Sequence, residues 1–190
     1  MTGRPVVSLL TDFGLRDPYV AQVKAVILSY CRDAAIIDLT HDVDAFNELQ
    51  AAFILKVSAP HMPEGTIHVC VVDPGVGSGR RGIILETRRG DFFVGPDTGF
   101  MAPAAEELEV KAAYVIDEAR LPPRSEETFH ARGVFAHVAA RLARGDEPLS
   151  LGYEAKSYAR LSLPKPKRMP GGFEATVMHV DRFGNVITNL

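Results

Sequence analysis

Between Val6 and Val72 the pattern of apolar and polar positions switches between two periods. Val6-Val7-Ser8-Leu9-Leu10 is a short apolar run that reads as a buried strand, and it breaks at the turn signal Thr11-Asp12-Phe13-Gly14. Asp17-Pro18 then predicts the start of a helix, with Asp17 as N-cap and Pro18 in the first turn. Ala21, Val23, Val26, Ile27 and Tyr30 recur along it at helical spacing. Ala35 to Leu39 reads as a second strand, closed by Thr40-His41-Asp42, and Phe46 to Val57 as a second helix carrying Leu49, Ala52, Phe53 and Leu55. Thr66 to Val72, rich in β-branched residues, reads as a third strand that stops at Asp73-Pro74-Gly75. This alternation predicts an α/β fold: a mainly parallel sheet, flanked by helices and joined by right-handed crossovers.

Past Arg81 the pattern changes. Gly82–Thr87 and Asp91–Val94 flank Arg88-Arg89-Gly90 and read as a hairpin. A turn at Pro96-Asp97-Thr98-Gly99, a short helix near Ala102–Leu108 and a strand at Ala112–Ile116 follow. A polar loop from Asp117 to Glu127 leads to Thr128-Phe129-His130, and Val134–Ala143 reads as a helix closed by Gly145. Leu161 to Gly172, LSLPKPKRMPGG, has the proline and glycine content of a linker without a regular element. Phe173–Val180 and Val186–Leu190 read as two strands around the turn Asp181 to Asn185. The expected organisation is an N-terminal α/β domain over residues 1–160, a linker at 161–172, and the first strands of a C-terminal β domain at 173–190. Two strands do not make a stable domain, so that second domain reads as truncated.

Composition narrows the function classes. The 190 residues are 46% hydrophobic and 24% charged, as in an ordinary globular domain. The net charge is −3 and the basic residues are spread out, which leaves no footprint for nucleic acid or a membrane surface. No apolar run reaches the roughly 18 residues that a membrane span needs. Cys31 and Cys70 form no CxxC pair and read as buried thiols of a cytoplasmic protein.

Three polar clusters fall where predicted strands end: Thr11-Asp12, Thr40-His41-Asp42 and Asp73. Ligands of open α/β sheets bind at that edge, so these are the candidate site residues. Gly77-Ser78-Gly79-Arg80-Arg81-Gly82 matches G-x-G-x-x-G, but strand-like Ile83-Ile84-Leu85 follows where a dinucleotide site requires a helix. The histidines lack metal-site spacing and G-x-S-x-G is absent, so neither a catalytic metal nor a serine nucleophile elbow is expected.

Taken together, five segments resemble a known family. They are Leu10-Thr11-Asp12-Phe13-Gly14 with Asp17-Pro18-Tyr19-Val20; Asp73-Pro74-Gly75-Val76-Gly77 with Arg80; Gly95-Pro96-Asp97-x-Gly99; Thr128-Phe129-His130 with Arg132 and Phe135-Ala136; and His179 to Asn189. The set resembles the S-adenosyl-L-methionine (SAM) hydrolases that form adenosine, also called SAM hydroxide adenosyltransferases, relatives of the SAM-dependent fluorinase and chlorinase. The resemblance runs from about Val6 to Leu190. It implies an N-terminal α/β domain and a small C-terminal β-barrel, assembled as a homotrimer with SAM between subunits. Motif for motif, it implies Asp73, Arg80 and His130 as the catalytic set around an attacking water, and Asp12 on the ribose hydroxyls. Asp17, Asp181 and Asn185 fall at positions that contact the methionine part or the adenine. SAM is then the substrate, and no cofactor is expected.

The residue types fit that chemistry. Methionine leaves a sulfonium without help from an acid, so what the reaction lacks is a nucleophile. Arg80, permanently cationic with a rigid donor fork, suits an oxygen gaining negative charge; His130 suits its proton; Asp73 suits the orientation of either. Family chains usually carry Gly-Arg-Asp and Phe-Ala-Pro where this one has Ala131-Arg132-Gly133 and Phe135-Ala136-His137, and Asn-Gly-Leu where it has Thr98-Gly99-Phe100. They also continue past residue 190. A non-catalytic adenosine or SAM binder, or an inactive truncated form, is the alternative reading. A halide-dependent SAM-cleaving enzyme is a further one, which the Asp73, Arg80 and His130 set opposes.

Overall fold

The computed structural model describes residues 3–123 and 129–190. Thr128 and residues 124–127 of the predicted polar loop lie outside the described residues. The predicted strands of the first half are present as β1 (Val6–Thr11), β2 (Ala35–Thr40) and β3 (Ile67–Val71), and the hairpin as β4 (Gly82–Thr87) and β5 (Phe92–Pro96). β6 (Val110–Ile116) and a short β7 (Gly152–Glu154) complete a seven-stranded sheet in the order β2-β1-β3-β5-β4-β6-β7. β2, β1, β3 and β5 run parallel. β4 runs antiparallel to both of its neighbours, and β7 is antiparallel on β6.

Period-two alternation divides the core between the two faces of this sheet. Val7, Leu9, Val69 and Val71 pack with Val23 and Ile27 of α1 (Tyr19–Tyr30) and with Val138 and Leu142 of α4 (Ala136–Ala143). Leu10, Cys70 and Val72 pack the other way, with Ala51 and Leu55 of α2 (Glu48–Ser58) and Ala104 of α3 (Ala102–Glu107). All of β3 is buried, as expected of a strand covered on both faces. Full burial of each Leu, Ile or Phe here contributes roughly 1.5–3 kcal/mol. Alanines on the inner sides of α2 and α4 bring the helices close to the sheet. Gly95 on β5 has the same origin: a Cβ there would run into the Cys70 carbonyl.

The end of the sheet at the start of β3 and β5 holds a buried polar group. Asp91, fully buried, accepts from Thr66 N (3.0 Å), Arg89 Nε (2.6 Å) and Arg89 Nη2 (3.1 Å). The rest of the Arg89 fork donates to the carbonyls of Ala59 and Pro60. His68 bonds Ser8 Oγ through Nδ1 (2.7 Å) and stacks on Phe93 at 4.5 Å. Burial pulls its imidazole down to about 4, with the Arg89 charge helping and Asp91 opposing.

Several local expectations change. Pro18, not Asp17, occupies the N-cap of α1, and no side chain caps that helix. α2 starts after Phe46, whose φ of +62° is incompatible with a helix, and Asn47 Oδ1 caps it by accepting from Gln50 N. The last helix begins earlier than predicted, with a π-helical turn over Ala131–Phe135. Part of the predicted linker is ordered: β8 (Lys167–Met169) pairs with β9 (Gly172–Glu174). Pro170 sets the turn between them and Gly171 takes φ +85°. The single strand predicted over 173–180 is split, because its backbone changes partner: β9 pairs back on β8, while β10 (Val177–Val180) pairs with β11 (Val186–Thr188). The Gly95 to Gly99 motif docks the chain leading to these hairpins. Arg81 Nε donates to Asp97 Oδ2 (2.6 Å), Ala159 N donates to Asp97 Oδ1 (2.8 Å), and Leu161 N donates to the Gly99 carbonyl (3.1 Å).

Candidate active site

Parallel register puts the ends of β1 and β3 side by side, with Thr11 opposite Val71. Asp12 and Asp73 therefore emerge next to one another at the carboxyl edge of the sheet. A tight turn follows Asp73. Its Oδ1 accepts from Gly75 N (3.2 Å), Ser78 N donates to the Gly75 carbonyl, and Arg80 N donates to Ser78 Oγ (3.3 Å). These bonds fold the loop back, so that Arg80 meets the carboxylate that opened it. Arg80 Nε lies 3.0 and 2.9 Å from the two Asp73 oxygens, and Nη2 donates to Asp73 Oδ2 as well. The same Nη2 is 2.9 Å from His130 Nδ1. A guanidinium only donates, so Nδ1 is the acceptor and the His130 ring in this arrangement is the neutral Nε2–H tautomer.

Phe135 is the floor under this group. It is fully buried, its ring lies 5.5 Å from the Arg80 guanidinium, and it meets the His130 ring edge-on at 6.4 Å. Phe135 ends the π-helical turn that His130 begins. Such turns recur at functional sites; here the wider turn puts His130 and Phe135 beside the same arginine.

Asp12, Asp73 and His130 line a cleft of about 750 Å³, within the usual range for small-molecule sites. Phe13, Tyr19 and Phe129 make one wall, in edge-to-face contacts of 5.2 to 6.0 Å. Arg132 lies over the Phe129 ring at 5.2 Å and bonds Gln22 Oε1 (2.9 Å). Phe46 is on the opposite lip, its strained backbone held by a 2.9 Å bond from its N–H to Asp12 Oδ2. A positive φ in a bulky residue is uncommon and is found at ligand clamps. Nothing in the sequence around Phe46 signals it. Phe13, Tyr19 and Phe129, by contrast, stand inside the recognised motifs.

The structure thus brings Asp12, Asp73, Arg80 and His130 together. Asp17 is exposed on the surface, and Asp17, Arg80, Asp181 and Asn185 are not among the residues that line the cleft; Arg80 is joined to it through Asp73 and His130. Asp181 and Asn185 are bonded to each other across the turn between β10 and β11 (2.7 Å), and Asp181 Oδ1 also accepts from the backbone of Phe183 and Asn185. The Asn185 side chain, with these backbone donors, holds the Asp181 carboxyl below its ordinary range. The third strand-end cluster braces the edge. His41 is buried, bonded through Nδ1 to Thr11 Oγ1 (2.8 Å) and with Nε2 3.1 Å from Asp38 Oδ1. Burial alone would raise the Asp38 carboxyl, but the bonds from Lys24 and His41 outweigh it and lower it. Among the described residues, no group of three or more His, Cys, Asp or Glu could hold a metal ion, and no helix is long and apolar enough to cross a membrane.

Known proteins resemble this chain over most of its length. The profile of the SAM hydroxide adenosyltransferase N-terminal domain matches residues 7–152. The (R)-S-adenosyl-L-methionine hydrolase of Methanocaldococcus jannaschii is 38% identical, over 97% of this chain and 66% of that protein. The hydrolase of the same name from Thermus thermophilus is 40% identical, over 98% and 74%. A fluorinase from an Actinoplanes species is more distant, at 26% identity over 99% and 72%. The crystal structure of an uncharacterized conserved protein from Thermotoga maritima superposes with a TM-score of 0.90 at 38% identity, over 97% of this chain and 71% of that one. The chain belongs to the SAM hydroxide adenosyltransferase family, and it spans about two thirds to three quarters of the length of these relatives.

Proposed function

We propose that this chain hydrolyses S-adenosyl-L-methionine to adenosine and L-methionine. The observation that carries the proposal is the Arg80 fork joining Asp73 to His130, two residues that line the cleft. In this reading Asp12 holds the ribose hydroxyls, and the aromatic wall covers the nucleoside. Water sits on Arg80, in line with the bond between C5′ and sulfur, and gains from that placement the proximity that free water lacks. Its oxygen forms the C5′–O bond while the C5′–S bond breaks, and the bonding pair stays on sulfur as the neutral thioether of methionine. The water takes the place of Arg80 at Nδ1 of His130 and gives its proton there, and His130 passes it to solvent. Asp73 keeps the guanidinium aimed at the developing oxyanion. A sulfonium brings its own leaving group, so the reaction asks for no metal and no cofactor.

The same reading includes assembly as a homotrimer in which Asp181 and Asn185, on the C-terminal hairpin, complete a neighbour's cleft, with Asp17 as a contact to the methionine part or the adenine, and a cytoplasmic location. Two free, buried cysteines are in keeping with a reducing compartment. Light scattering of the purified chain tests the assembly. The activity is tested by incubation with SAM in halide-free buffer and chromatography for adenosine and methionine. Adenosine above the protein-free control, lost in Arg80→Ala, is expected. Adenosine formation untouched by that change, or a 5′-halogenated product appearing only with added halide, overturns the proposal.

A further inference from the structure

Gln50 stands outside the chemistry above, yet it is a buried residue with three committed bonds, two of them from its side chain. Its backbone N–H donates to the Asn47 cap, its Oε1 accepts from Asp44 N (2.7 Å), and its Nε2 lies 3.2 Å from His179 Nδ1 on β10. The orientation of the amide follows from chemistry: a backbone N–H cannot accept, so the atom facing Asp44 N is the oxygen. The nitrogen, which only donates, therefore faces His179, and His179 Nδ1 must carry a lone pair. Asp44 begins the short segment that leads to Phe46, whose N–H is fixed on Asp12. One continuous set of bonds thus runs from the C-terminal hairpin, through Gln50, to the lip of the cleft.

We infer that Gln50 is a positioning residue of the cleft, tying the segment that presents Phe46 to the C-terminal hairpin through an unprotonated His179. Protonation places an N–H of His179 against the N–H of Gln50, and the tie breaks. Other groups surround His179. β11 brings uncharged Ile187 opposite it. On α2, Glu48 has a buried Oε1 with no hydrogen-bond partner, and Lys56 pairs with Glu107. Asp181, on the hairpin itself, interacts with His179.

The test is hydrogen exchange of the backbone amides of residues 177–188, expressed as protection factors between about pH 5 and 8, the range in which histidine titrates. In the wild-type chain protection falls roughly tenfold on acidification, the worth of one hydrogen bond and its reversal. Gln50→Glu keeps an oxygen on Asp44 N and turns the other towards His179, which the neutral Nδ1–H tautomer and the imidazolium can both meet as donors, so protection no longer falls on acidification. His179→Asn leaves an acceptor without a titration, and the dependence flattens. A Gln50→Glu chain that follows the wild-type direction, or a His179→Asn chain that keeps the wild-type slope, overturns the inference. The link to substrate rests on the hydrolase reading and has its own readout: KM for SAM rises in step with lost protection. Adenosine formation whose KM ignores the exchange removes the positioning role. The expected exchange behaviour in all three chains, without adenosine formation by the wild type, leaves the tie standing and removes the hydrolase reading instead.

Discussion

Two groups in this molecule are built from the same three residue types and behave differently. Arg80, Asp73 and His130 stand at the carboxyl edge of the sheet; Arg89, Asp91 and His68 stand at the opposite end. Burial does not separate them. The Arg80 and Asp73 side chains are 10% and 7% exposed, those of Arg89 and Asp91 20% and 0%. What separates them is where the remaining donors go. Arg89 spends them on the carbonyls of Ala59 and Pro60, so its group is closed and holds two segments together. Arg80 extends past its aspartate to a histidine on the wall of a cleft. An arginine–aspartate pair can therefore close on backbone carbonyls as a brace or reach a cleft, according to where the rest of the fork goes.

The comparison can be broken or sharpened by experiment. The largest effect is expected from Arg89→Ala, which leaves Asp91 charged, buried and unpaired; such losses cost about 3–5 kcal/mol. Denaturant unfolding should show that fall, with adenosine formation per folded molecule unchanged. Arg80→Ala should do the reverse: kcat falls roughly 10²–10³-fold, as when a preorganised donor is removed. Its unfolding midpoint moves less than that of Arg89→Ala, because the cleft admits water to Asp73. Equal stability losses in the two variants would erase the distinction.

Next in size is a pH effect at the closed group. Buried His68 takes its proton near pH 4, against 6.5 for an ordinary imidazole. Between those values the unfolded chain holds one proton more than the folded chain. Stability from this source is complete above pH 6.5 and drains as pH falls towards 4, by about 3 kcal/mol in all. Unfolding measured at several pH values should show that slope in the wild-type chain and a shallower one in His68→Phe; identical slopes would assign it elsewhere. The smallest effect belongs to Asp12→Asn, which keeps an acceptor for Phe46 N but weakens the proposed grip on the ribose. KM for SAM should rise roughly tenfold with kcat nearly constant, and a matching fall in kcat would move Asp12 into the chemistry itself.

The open group was more legible in the sequence than the closed one. Asp73 and Arg80 lie within one glycine-rich turn, and an acid at a strand end with a cation after the loop is a local pattern. His130 came with its motif rather than from spacing. The closed group gave no such sign. Arg89 reads as a turn residue between β4 and β5, and His68 as a lone histidine in an apolar run. Whether a turn arginine points to solvent or folds inward depends on Ala59 and Pro60, which are remote in sequence. The split of β9 from β10 was hidden for a similar reason, since pairing partners are not written in the strand that chooses them.

Local patterning alone determined the alternating elements, the parallel core of the sheet and the strand ends at which Asp12 and Asp73 emerge, because period and turn chemistry act over a few residues. Tertiary structure decided the rest. Seating the π-helical turn against Arg80, bending Phe46 to a positive φ over Asp12, and fixing His179 on Gln50 each require groups distant in the chain to meet. Only the packed sheet and its helices bring them within hydrogen-bonding reach.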